Sequence, residues 1–550
     1  MADISGTSGN DSLQGTTAAD RIYGETGDDM LFGLQQDDTL VGGPGHDWLR
    51  GGSGDDLMLG GNAADLLMGG SGDDVQYGGG GRDRFVGGHG DNIMFGGSGN
   101  DFFNAMRGSA LAAGETGNDT LIADTASDRL FEAAGEGVDT VISEVDFSLA
   151  STGPEIFVEF LILKSGSDAI TAEGNQLTNL IFGNSADNEL FGGSGDDLIL
   201  DGAAGDDQIF GGAGDDEIYN FYSGAQMFGD RGNDFVASNT GDVALYGGGG
   251  TDRVLAFGGE VTLFGDNGVD TVGAVAEEST IFGALGDDTL EAFAGKSWIF
   301  GGDGDDLAIS RSNAEEVVIY GGSGSDLIGG LFSGTDTFFG GSGKDTVVGG
   351  SGEDLIRGDG KNDYLEGNSG NDTIFGDQGA DTLIGEAGDD TLRGRGGEDI
   401  GTGSTGSDVV DGRFDGSTVD TLDGGSGNDT LRLGDEDSFF GDRGNDLFFF
   451  DNDNNGDGNG SGGAVVMDFA NGILTPAGHD KLAFSKGVLA SGFEYIGDAA
   501  FDGAGNSQAR FAGATQMQVD SDGDGSADIA FRIEDMTAAG QLTSADFLVL

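Results

Sequence analysis

Aspartate returns along this chain at intervals of nine residues, and carboxylates repeated that regularly have the spacing of ligands for a hard, oxygen-seeking cation. Residues 6 to 104 divide into eleven consecutive nine-residue units without an insertion, from GTSGNDSLQ and GTTAADRIY to GGHGDNIMF and GGSGNDFFN. The sixth position is Asp11, Asp20, Asp29, Asp38, Asp47, Asp56, Asp65, Asp74, Asp83 and Asp101, with Asn92 the exception. The eighth is apolar except at Gln76. A second unbroken block, 340 to 411, sets Asp345, Asp354, Asp363, Asp372, Asp381, Asp390, Asp399 and Asp408 at the same position. Asp119, Asp197, Asp207, Asp326, Asp429 and Asp446 occupy similar contexts between and beyond the blocks. Near the end, DSDGDGSAD supplies Asp520, Asp522, Asp524 and Asp528 around Gly525. That spacing suits a calcium loop or a plain acidic hairpin; it is no EF-hand, because Phe531 stands where a bidentate Glu is required.

The elements that must hold these carboxylates follow from the rest of the unit. Glycines at the first, second and fourth positions allow positive φ and close backbone approach, so six residues can turn tightly. The seventh to ninth then read as a three-residue strand, with the eighth side chain inside and its neighbours outside. Two units make an 18-residue coil, and coils stacked at a rise of roughly 4.8 Å bring aspartates 18 apart into line along one edge. The expected fold is all-β: a parallel β-roll in which calcium, held by Asp carboxylates and backbone carbonyls, links each coil to the next.

The coil period is directly visible between 202 and 309. Complete units there contribute Asp216, Asp234, Asp252, Asp270, Asp288 and Asp306, always 18 apart, while the intervening units carry Ala225, Val243, Val261, Ser279 and Ser297 instead. One edge should bind calcium and the other should not. On that second edge Phe210, Phe228, Tyr246, Phe264, Phe282 and Phe300 are again spaced by 18. They read either as a structural ladder of rings or as an exposed stripe for subunit or ligand contact.

The pattern resembles the RTX family nonapeptide GGxGxDxUx, a calcium-binding β-helix repeat, over most of the chain. On this resemblance, residues 1–104 form a first roll and 105–173, which include GEGVDTVISEVDFSL, a variant solenoid bridge. Residues 174–450 form a second roll. Residues 451–550 hold a Gly/Asn/Asp-rich linker, whose Asp451, Asp453, Asn455 and Asp457 read as a solvated loop or a cation site, and a C-terminal β-rich domain. RTX proteins use such a domain as an uncleaved signal for type I secretion. That implication agrees with an amino terminus lacking a basic and an apolar signal region.

Composition limits the partners. The 550 residues include 113 Gly, 3 Pro and 99 acidic against 23 basic side chains, for a net charge of -76. Collagen is excluded by the missing three-residue glycine period and the scarcity of proline. Disorder is disfavoured by the 36% hydrophobic content and 37 Phe. Nucleic acid would be repelled, and no stretch is apolar enough to span a membrane as a helix. There is no Cys, so neither disulfides nor thiolate metal sites exist.

Catalysis is not expected. The three histidines, His46, His89 and His479, form no HExxH and no plausible zinc triad. The GGSG strings are repeat turns, and neither a nucleophile elbow nor a P-loop Lys accompanies them. Repeats already begin at residue 6, which leaves no separate catalytic segment. The expected role is a secreted, self-assembling structural protein of a surface layer, biofilm matrix or adhesin, binding many calcium ions. The alternatives are a polysaccharide- or ligand-binding module and the calcium-binding accessory of a polysaccharide-modifying enzyme.

Overall fold

A computed structural model describes residues 2–150, 157–222, 224–239, 241–311, 317–330, 334–412, 419–433, 438–444 and 446–450. Further on it describes strands at 465–468, 481–484, 493–497, 507–511, 516–520, 529–533 and 547–549. The chain divides into two compact units, Met1–Phe264 and Gly265–Leu550. Each is a parallel β-solenoid of about 18 residues per coil.

In the first unit, strands of alternate nonapeptides form opposite walls. One wall begins Asp3–Ser5, Arg21–Tyr23, Thr39–Pro44 and the other Ser12–Gln14, Met30–Gln35, Trp48–Ser53. The pairing is parallel with an offset of one coil: Leu31 lies opposite Leu49, and Leu49 opposite Leu67. Eighth-position side chains fill the space between the walls, and Leu31, Leu40, Leu49, Met58, Leu67, Phe85, Met94 and Phe103 are wholly buried. Gln76 is buried among them and donates from Nε2 to the Val86 carbonyl at 3.2 Å.

The strands are longer than the expected three residues. Arg84–His89 pairs with Leu66–Ser71 through Arg84–Val86 and again through Gly88 and His89, so the opening of the next turn joins the ladder. The reason is that parallel pairing uses only backbone groups, and coils of equal length keep even their turn residues in register.

The bridge at 105–173 continues the solenoid unequally. One wall runs on without a gap through Thr120–Ala123, Thr140–Ser143, Phe160–Leu163 and Leu180–Phe182, at an offset of 20 residues. The other stops at Arg129–Phe131, and a new sheet starts at Phe147–Ser148.

In the second unit the two walls continue beyond 450: Val465–Asp468 pairs with Ser438–Phe440, and Lys481–Phe484 with Leu447–Phe450. Ser507–Phe511, Gln516–Asp520 and Ile529–Ile533 then pair antiparallel, as a chain released from the coil period can do. No helix among the described residues is long and apolar enough to cross a membrane.

Candidate metal centres at the coil corners

Each sixth-position aspartate sits where a turn enters a strand, with its side chain folded inward. Asp29, Asp38, Asp47, Asp56, Asp65, Asp74, Asp83 and Asp101 are all buried. One carboxylate oxygen is committed to the coil before. The backbone N–H of Asp29 donates to Asp47 Oδ1 at 2.8 Å, that of Asp47 to Asp65 at 2.8 Å, and that of Asp65 to Asp83 at 2.7 Å. The opposite corner repeats this from Asp38 to Asp56 and from Asp56 to Asp74. In the second unit the same ladders run Asp345, Asp363, Asp381, Asp399 and Asp354, Asp372, Asp390, Asp408.

The second oxygen has no such partner. Oδ2 is buried and without a hydrogen bond at Asp29, Asp38, Asp47, Asp56, Asp65, Asp74, Asp83 and Asp101, and at Asp345, Asp354, Asp363, Asp372, Asp381, Asp390 and Asp408. The second residue of the turn decides this. At Asp11 and Asp20 that residue is Thr7 or Thr16, whose N–H donates to Oδ2 at 2.5 and 2.6 Å. In the turns of the other aspartates just named it is left-handed, whether glycine (Gly43, φ 108°) or not (Glu25, φ 78°; Asn368, φ 73°; Glu386, φ 72°), and its N–H no longer serves the carboxylate.

First-position glycine completes the cleft without needing positive φ. A Cβ on Gly24 would lie 2.5 Å from Asp29 Oδ2 and 2.7 Å from the Gly42 carbonyl oxygen, so the missing side chain leaves a space bordered by oxygens.

Buried carboxylates left half-satisfied are costly. Burial, above all, raises Asp47 to about 6, Asp56 to about 7 and Asp65 to about 8, with stacked carboxylates adding to the effect and the backbone N–H bond opposing it. Asp363 is likewise raised to about 8. The asparagine corners show the contrast. Asn179 donates from Nδ2 to the Val158 carbonyl at 3.0 Å while its Oδ1 accepts from Asn175 N–H at 2.7 Å, and Asn184 and Asn188 repeat the arrangement. An amide brings its own donor to a carbonyl-lined corner, whereas a carboxylate needs a cation. An all-oxygen donor set of carboxylates and carbonyls fits calcium.

The remaining expected ligands fall on the same ladders. Asp197 N–H donates to Asp216, Asp216 to Asp234 and Asp234 to Asp252 in the first unit, and Asp270 to Asp288, Asp288 to Asp306, Asp306 to Asp326 and Asp326 to Asp345 in the second. Asp207 accepts from Asn188, Asp119 from Asp101, Asp429 from Asp408, and Asp446 from Asp429. On the other edge Ala225, Val243 and Val261 fill the slot with apolar volume, and Ser279 Oγ bonds Ser297 Oγ at 3.0 Å.

Rings cover that edge. Phe191, Phe210, Phe228, Tyr246 and Phe264 stack with centroids 4.6–5.0 Å apart, and Phe282, Phe300, Tyr320 and Phe339 at 4.6–5.1 Å. Phe191, Tyr320 and Phe339 join because coils of 19 or 20 residues still close in register.

Seven further buried acids, Asp128, Glu132, Asp139, Asp201, Asp336, Asp411 and Asp420, were not expected. Insertions hid Asp139 and Asp420: Asp119 N–H reaches Asp139 across 20 residues and Asp399 N–H reaches Asp420 across 21. A local signal exists in the Asp-Thr-apolar run that opens the strand at Asp139, Asp336 and Asp420, as it does at Asp345 and Asp381.

Asp520 ends the strand Gln516–Asp520, while Asp522, Asp524 and Asp528, and the 451–457 acids, lie outside the described residues. His46 and His89 are exposed, and His479 also lies outside.

Fold and corners together define a class, the parallel β-solenoid whose turns present stacked carboxylates for a divalent cation. The family described as RTX calcium-binding nonapeptide repeat matches residues 5–141, 173–220, 228–256, 279–308, 332–410 and 414–448 in overlapping or adjoining copies, and the chain belongs to that family. No curated protein matches it.

Proposed function

We propose that this chain is a calcium-dependent structural protein of the cell exterior that assembles with copies of itself at the surface, and that it is not an enzyme. The observation that carries this reading is the succession of buried, hydrogen-bond-free Oδ2 atoms along the corners. They make the fold itself conditional on a divalent cation, as befits a protein that remains unfolded and exportable in calcium-poor cytosol. Family resemblance supports type I export through the carboxy-terminal segment.

Electron microscopy of the purified chain in millimolar calcium tests the assembly. Ordered sheets or filaments that dissolve on chelation are expected; monodisperse particles at every calcium concentration would sink it. A second reading, recognition of a cell-surface polysaccharide, draws on the outer edges of the ring ladder, where Tyr320 is 38% exposed. It predicts depletion of the glycan from solution by unassembled protein and loss of that depletion in Tyr320→Ala.

A further inference from the structure

Asp119, Glu132 and Asp139, all buried, each bring a ligand oxygen within 4.8 Å of the others, and no other trio of His, Cys, Asp or Glu among the described residues does so. The trio arises from a departure from the repeat. Gly114 opens the turn that ends at Asp119. One coil later Phe131 pairs with Ala113, so the next residue, Glu132, lies across from Gly114, where the repeat would place another glycine.

Backbone donors fix the three side chains from one side. Gly114 N–H donates to Glu132 Oε1 at 2.8 Å, Asp101 N–H to Asp119 Oδ1 at 2.6 Å, and Asp119 N–H to Asp139 Oδ1 at 2.7 Å. Glu132 Oε2 and Asp119 Oδ2 remain buried without a hydrogen-bond partner, in a glutamate only 5% exposed. A Cβ on Gly114 would collide with both Asp119 Oδ2 and Glu132 Oε1, so the glycine again leaves room between oxygens. No lysine or arginine among the described residues forms an ion pair with any of the three.

We propose that Asp119, Glu132 and Asp139 form a three-carboxylate cation site, separate in composition from the ladder corners, that binds calcium more tightly than they do. Ligand charge count is a main determinant of calcium affinity. Here a glutamate from the following coil is added to the aspartate ladder. The place matters too: Glu132 directly follows Arg129–Phe131, the last strand of the eight-stranded sheet, in the coil where the offset lengthens to 20 residues. A cation there fastens the end of one wall to the loop 132–139 and to the coil before. The proposal depends on the calcium reading above only for its choice of ion.

The test is a calcium titration of the full chain in competition with a chromophoric chelator. One equivalent should bind roughly tenfold or more tightly than the rest, as an added carboxylate ligand implies. Glu132→Gln should remove that equivalent and leave the others unchanged. Glu132→Gly, which writes the repeat's own glycine into the corner, should fold and titrate in the same way as Glu132→Gln. Retention of the tight equivalent in both variants, or its absence from the parent chain while the ladder titrates, overturns this site alone. A chain that binds no calcium at all overturns the ladder reading with it.

Discussion

A ladder aspartate has one oxygen held by the backbone and one awaiting a cation, and this division fixes the sign of its mutational effects. Asp65 accepts from Asp47 N–H through Oδ1, while its Oδ2 is buried and unbonded. Asp65→Asn should lower stability to urea by about 1–3 kcal/mol in saturating calcium, through loss of a charged ligand. In chelator at pH 8 the same substitution should leave the circular dichroism signal unchanged or raise it, because one buried charge is gone. A loss of that signal in chelator would contradict the cation's role. The protons make a second prediction. In the folded, calcium-free chain Asp56, Asp65 and Asp363 release protons only at about 7 to 8, whereas unfolded carboxyls do so near 3.8. The folded form therefore binds more protons between those values, and calcium-free stability falls as pH rises across that window. Circular dichroism in chelator should show more β-structure at pH 5 than at pH 8, and calcium uptake near neutrality should release protons.

At the scale of elements, the solenoid has two ways to fasten one coil to the next. Complete turns use carboxylates, and the edge bearing Ala225, Val243 and Val261 stacks rings outside its strand while apolar side chains fill the corner. Phe228 lies between Phe210 at 4.9 Å and Tyr246 at 4.6 Å, nearly parallel to both. Phe228→Ala should cost about 2–3 kcal/mol, from two ring pairs at roughly 0.5–1.5 kcal/mol each plus the half-buried area. The number of calcium ions bound should not change. A calorimetric titration showing fewer ions would mean that the rings shape the metal edge as well.

For the whole molecule, a net charge of -76 opposes every compact form unless cations bind at the corners or screen from outside. These two remedies differ experimentally. Screening by monovalent salt weakens repulsion between exposed carboxylates but reaches buried ones poorly. Chelation at pH 8 should therefore abolish the β-sheet signal at physiological ionic strength, and molar sodium chloride should restore little of it. Calcium should restore it cooperatively at roughly 10⁻⁴ to 10⁻³ M, the range of extracellular modules. A signal that survives excess chelator at pH 8 would remove the physical basis of the proposed function.

Sequence by itself determined the nine-residue unit, the 18-residue coil, the buried eighth position and the aspartate corner. In uninterrupted blocks such as 6–104 and 340–411, spacing along the chain fixes neighbourhood in space. It also announced the edge without aspartate and the ring ladder upon it. Tertiary structure decided what depends on how coils close. Insertions made Asp139 and Asp420 the successors of Asp119 and Asp399, because hydrogen-bonded walls restore register across coils of 20 or 21 residues. Left-handed second positions at Glu25, Leu34 and Arg395 could not be read from residue type, yet they set which carboxylates lose their backbone donor. The 18-residue period already sets Glu132 across from Gly114, but the trio with Asp119 is completed by Asp139 only through a 20-residue offset that the nonapeptide spacing does not express.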